Sequence, residues 1–136
     1  MKAHCTKAAT LPGSDFHEVR KKADALYDTI RKQTKRRTYV RSAYFKKDKI
    51  FIDLFWKHLF DKKNWRDRTR RLKYFPAAIE VIRHSRFDPA SEENRNNRSE
   101  ILHRFAGITI DNELFYVQIK EEKSSGQKFL ISVFPE

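Results

Sequence analysis

The last third of the chain carries the feature that most limits its fold. Phe115, Val117 and Ile119 alternate with Tyr116, Gln118 and Lys120, and Phe129, Ile131 and Val133 alternate with Leu130, Ser132 and Phe134. A period of two sends successive side chains to opposite faces of a strand, so each run has an apolar face to bury and a mixed polar and aromatic face. Lys123 to Gly126 has the composition of a turn between these two runs, and Asp111-Asn112 that of a turn ahead of the first. A third run, about Ser99 to Ile110, precedes that turn. Three strands joined by short turns form an antiparallel meander, and its apolar face needs a cover.

The cover lies upstream. Ser14 or Asp15 can cap a helix, with Glu18 placed to complete a capping box behind Asp15, and Val19, Ala23, Leu26, Tyr27 and Ile30 recur at helical spacing to about Gln33. Thr38 to Phe45 is β-branched and aromatic and reads as a strand. A polar turn, a short apolar segment and a helical stretch follow it. Asn64 caps the next helix, and Pro76 sets a boundary at Phe75, because proline is tolerated in a first turn and breaks an interior. Arg86 to Glu100 reads as a long loop. Residues 1–14 read as a flexible arm and 15–136 as a single domain. The class is α+β, with N-terminal helices packed on a C-terminal antiparallel sheet of about four strands.

Lys and Arg outnumber Asp and Glu by 30 to 18, a net charge of +12. That excess favours phosphate backbones, anionic surfaces or an acidic protein as partners. The arginine-rich helix Trp65 to Lys73 presents Arg66, Arg68, Arg70, Arg71 and Lys73 to phosphates, with Trp65 as a stacking plane; Asp67 is spaced to pair with Arg70 or Arg71. Tyr39, Arg41 and Tyr44 offer a second stacking strand. One cysteine, Cys5, excludes an internal disulfide and a cysteine-based zinc site. No apolar run reaches the length of a membrane span, so a cytoplasmic protein without membrane contact is expected.

"ILHRFAGITI", from Ile101 to Ile110, sets His103 and Arg104 in the middle of a strand. Leu102, Ala106, Ile108 and Ile110 are the more apolar alternation, with Arg104 among them. That assigns His103 to the open face beside Tyr116, Gln118, Lys120 and Ser132, unless Gly107 marks a bulge that swaps the faces. Such a face has the parts for RNA cleavage without a metal or other cofactor. A histidine moves protons near neutral pH, a cation such as Lys120 holds the phosphate, and a hydroxyl or amide donates to it. His84, at a helix end beside the long loop, is a second candidate proton carrier or a helix cap.

The stretch "HRFAGITIDNELFYVQIKEEKSSGQKFLISVFP", with "IFIDLFWKHL" and "RLKYFPAAIEVI" upstream, resembles the phage and mobile-element nucleases of the barnase–EndoU–colicin–RelE superfamily. The resemblance covers roughly residues 38–135. It implies a metal-independent, toxin-like endoribonuclease that attacks a phosphate through the adjacent 2′-OH. RNA is the implied substrate, tRNA or another structured RNA included, and an acidic inhibitor or antitoxin the implied protein partner. The positions matching its catalytic residues are His103, Lys120 and Ser132, with Arg104 and Thr109 beside them; the general base stays open. The alternatives are a non-catalytic nucleic-acid-binding module and an adaptor for an acidic protein.

Overall fold

The computed structural model describes residues 1–61 and 64–136, and the side chains of Phe60, Asp61 and Trp65 lie outside that description. Among the described residues the chain runs β1 (Ala3–Cys5), α1 (Phe16–Lys32), β2 (Tyr39–Arg41), β3 (Lys49–Phe51), α2 (Asp53–Asp61), α3 (Trp65–Leu72), α4 (Phe75–His84), β4 (Ala90–Glu93), β5 (Glu100–Ile108), β6 (Leu114–Glu122) and β7 (Lys128–Pro135). The class is α+β as expected. The sheet is larger than expected, with seven strands in the order β1-β5-β6-β7-β3-β2 and β4 paired to β5.

The meander β5-β6-β7 is antiparallel throughout. The sheet as a whole is mixed, because β1 pairs parallel with β5 and β3 parallel with β7. The additional strands run three or four residues each, too short for a period of two to register. Ala3–Cys5 therefore corrects the expected flexible arm, since it lies against Ala106–Ile108, with the Thr6 N–H donating to Ile108 O. Ala90–Glu93 likewise corrects the structureless loop by pairing with Ile101–Arg104. The predicted strand Thr38 to Phe45 shrinks to Tyr39–Arg41, because Ser42 opens a turn whose N–H groups bond within it.

Helix α4 is the centre of the core. Phe75, Ala77, Ala78, Ile79, Val81 and Ile82 are all buried, and Pro76 sits in its first turn as its missing N–H allows. Phe115, Val117, Ile119, Leu130 and Val133 join the same core from the sheet. Each such side chain contributes roughly 1.5–3 kcal/mol of burial. Helix α1 adds Val19, Ala23 and Ile30. Asp15 stands at its N-cap position, yet its side chain makes no capping bond, and Glu18 pairs instead with Lys22 at 3.6 Å.

Gly107 causes no bulge. The β5–β6 register passes through it unbroken, and a Cβ there would lie 2.6 Å from the Phe115 ring and 2.9 Å from Val81. The irregularity is on β7, where Gln118 pairs with Ser132 but Ile119 with Leu130. Ile131 is the extra residue, so Leu130 rather than Ile131 turns inward. No helix among the described residues is long and apolar enough to cross a membrane.

Candidate functional site

The register decides which side chains share a face. His103 lies opposite Ile119 and Arg104 opposite Gln118, and directly opposed residues of an antiparallel pair share a face. The expected assignment is therefore reversed: His103 is on the helix-covered side and Arg104 is exposed on the other. His103 is buried, with its ring 5.0 Å from that of Phe45. Its Nδ1 is 2.7 Å from Ser91 Oγ and its Nε2 is 2.8 Å from Glu121 Oε1. A carboxylate only accepts, so Nε2–H donates to Glu121, while Nδ1 shares a hydrogen bond with the Ser91 hydroxyl whose direction follows the protonation of the ring. The sequence reading missed both partners. Glu121 was legible, because it shares the parity of the inward Ile119. Ser91 was not, since nothing marked β4 as a strand.

The other face gathers Arg104, Tyr116, Gln118, Lys120 and Ser132. Tyr116 and Phe134 lie 5.5 Å apart between ring centres, and Arg104 sits over both, at 5.9 and 5.3 Å. Arg104 Nη2 also donates to Gln118 Oε1 at 3.4 Å. Arg71 reaches from α3 to Ser132 Oγ at 3.0 Å and lies 5.9 Å over Phe134, while Asp67 holds its Nε at 2.9 Å. Lys120 stands 5.0 Å over Phe129 and pairs with Glu100 at 3.4 Å.

The pattern continues across β3 and β2. Phe129 neighbours Phe51 at 5.6 Å, Arg37 lies over both rings, and Arg41 and Lys49 flank Tyr39 at 5.5 and 4.7 Å. Rings and cations thus interleave along one face from β6 to β2. Each contact is worth about 0.5–1 kcal/mol where exposed. At the β5 end, a notch of about 180 Å³ is lined by Ala90, Glu92, Leu102, Arg104 and Gln118 among others.

The remaining predicted residues lie elsewhere. Thr109 is buried and fastens the β5–β6 turn, its Oγ1 accepting the Glu113 N–H at 3.0 Å. His84 is exposed at the end of α4 and lines a separate cleft with Arg83 and Arg86. Of the arginine-rich helix, Arg71 joins the interleaved face. Arg68 lies over Phe16 at 5.1 Å, Arg66 and Arg70 are exposed, and Lys73 is the C-cap. The stacking role expected of Trp65 falls outside the described residues. Tyr44 packs inward against Phe45 and Phe105, so of the second stacking strand only Tyr39 and Arg41 reach the open face.

The structure thus brings Lys120, Ser132, Arg104, Tyr116, Gln118 and Arg71 together and sets His103 on the opposite side. No family model, no curated protein and no solved structure matches this chain.

Proposed function

We propose that the chain binds single-stranded RNA along the interleaved face of its sheet, in the cytoplasm. The observation that supports this reading is the run of rings from Tyr116 to Tyr39, half-buried at Tyr116, Phe134, Phe51 and Tyr39 and buried at Phe129, with Arg104, Arg71, Lys120, Arg37, Lys49 and Arg41 set over or beside them. Bases stack on aromatic rings and guanidinium planes, and cations follow the phosphates between them. A net charge of +12 adds the long-range attraction.

A second reading, cleavage of that RNA, is favoured by the hydrogen-bonded chain Ser91–His103–Glu121 at the β4 edge, where Ser91 is exposed. The resemblance to metal-independent nucleases points the same way. It requires the strand to cross that edge, because Lys120 and Ser132 face away from His103.

One experiment separates the two. Labelled single-stranded RNA is titrated with the protein in excess EDTA, beside the variant Tyr116→Ala/Phe134→Ala. The binding reading expects intact RNA whose affinity falls about 10- to 100-fold in the variant, since one stacked base is worth roughly 1–3 kcal/mol. Unchanged affinity overturns it. Fragments ending in 2′,3′-cyclic phosphate transfer the conclusion to the endoribonuclease.

A further inference from the structure

A cleft of about 780 Å³ opens between the end of α1, strand β2 with the turn that follows it, and the end of α4. It lies within the ordinary size range of small-ligand sites, roughly 300–1,000 Å³. Arg41, Lys46, Lys47, Arg83, His84 and Arg86 line it, and no carboxylate does.

The construction of this cleft is specific. Lys46 and Lys47 both adopt left-handed backbone conformations, with φ of 54° and 69°. Such a conformation costs on the order of 1–2 kcal/mol per non-glycine residue. The turn is held by Lys47 N–H to Ser42 O at 2.7 Å, Phe45 N–H to Ser42 Oγ at 3.1 Å and Arg41 Nη1 to Lys47 O at 2.9 Å. The Ala43 N–H donates to Ile82 O, which fastens the turn to the end of α4.

Among the described residues none of the five Lys and Arg side chains makes an ion pair, whereas Arg37, Arg71, Lys120 and Lys128 each hold a carboxylate. Asp48, next to Lys47, turns away to Lys128 at 2.8 Å. Arg83 and His84 suit a helix C-terminus electrostatically. That role does not account for Arg41, Lys46, Lys47 or Arg86. Unpaired cations gathered in one concavity repel one another, and a multiply charged anion relieves the repulsion.

We infer that this cleft binds a polyphosphate group, either of a free nucleoside triphosphate or of an RNA 5′-triphosphate end. The cations stand on two facing walls, Arg41, Lys46 and Lys47 on β2 and its turn and Arg83, His84 and Arg86 at the end of α4, and a linked row of phosphates meets both sets together. The inference stands on the cleft alone and does not rest on RNA binding by the sheet.

Binding of inorganic tripolyphosphate, ATP and short RNAs bearing a 5′-triphosphate or a 5′-hydroxyl is measured at about 0.15 M salt, where distant charges are screened. The protein is compared with Lys46→Ala/Arg83→Ala and with Lys21→Ala/Arg95→Ala, a pair that removes equal charge from exposed positions elsewhere. Tripolyphosphate binding is expected to fall roughly tenfold or more in the first variant, as lost charge-assisted bonds require. It is expected to change by under about twofold in the second. A preference for the 5′-triphosphate RNA that disappears in the first variant assigns the ligand to an RNA end; equal binding of the two RNAs alongside tight ATP assigns it to a free nucleotide. Absence of tripolyphosphate binding, or equal losses in both variants, overturns the inference.

Discussion

His103 shows how a single residue can be legible and still be misread. Hydropathy favoured the set Leu102, Ala106, Ile108 and Ile110 as the buried one, and the parity of His103 followed from that choice. The deciding information lay across the turn. With Phe115, Val117 and Ile119 already inward, the pairs Gly107–Phe115, Phe105–Val117 and His103–Ile119 bring His103 inward with them. Gly107 carried the same message, since only a residue without a Cβ fits over the Phe115 ring. Strand β5 buries residues on both faces, because Ala106, on the side of Arg104, is also buried and lies beside Ala3 of β1. A histidine bonded at both ring nitrogens is a structural joint. Replacing it with alanine leaves the Glu121 carboxylate and the Ser91 hydroxyl without this partner, at a cost of about 2–3 kcal/mol. Urea denaturation of His103→Ala should show that loss, while RNA affinity on the far face stays within about twofold.

At the level of elements, long periodic segments were readable and short paired ones were not. The three meander strands came within two residues of their observed ends, and the boundaries around Asn64 and Pro76 held. The strands Ala3–Cys5 and Ala90–Glu93 were invisible because their pairing is decided by what lies beside them, not by their own composition. The inward turn of Leu130 was hidden for a related reason: one extra residue on β7 shifts the phase of everything before it. Helix α3 obeyed its local rule. Asn64 Oδ1 accepts from the N–H groups of Arg66 and Asp67 at 3.0 and 3.3 Å. Asn64→Ala should cost about 1 kcal/mol, read as a lower melting temperature with no change in sheet content by circular dichroism. Because Arg71 hangs from this helix onto Ser132, a modest loss of RNA affinity should accompany it.

For the molecule as a whole, alkali is the sharpest probe. The Tyr74 hydroxyl donates to Glu113 at 2.7 Å, and burial first, then that carboxylate, pushes its pKa up to about 12. The fold favours the protonated phenol. Its contribution is complete below the unfolded value near 10 and is lost between pH 10 and about 12. Within that window the unfolded chain ionises while the native one holds its proton, so stability falls by roughly 1.4 kcal/mol per pH unit. The difference in unfolding free energy between the protein and Tyr74→Phe should be flat below pH 10 and shrink above it. Lysines titrating in the same range cancel in that difference.

The parallel pairs β1–β5 and β3–β7 also set a schedule. Helices α1 and α4 and the β5–β6–β7 meander can form from neighbouring sequence as it emerges from the ribosome. Strand β3 can pair at once with β2 beside it, but its edge toward β7 waits, and β1 can only wait, since β5 and β7 are made long after them. Loop closure over such spans is slow compared with local hairpins and helices. The sheet is therefore completed from its middle outward, and its first-made strand is among the last to find its place.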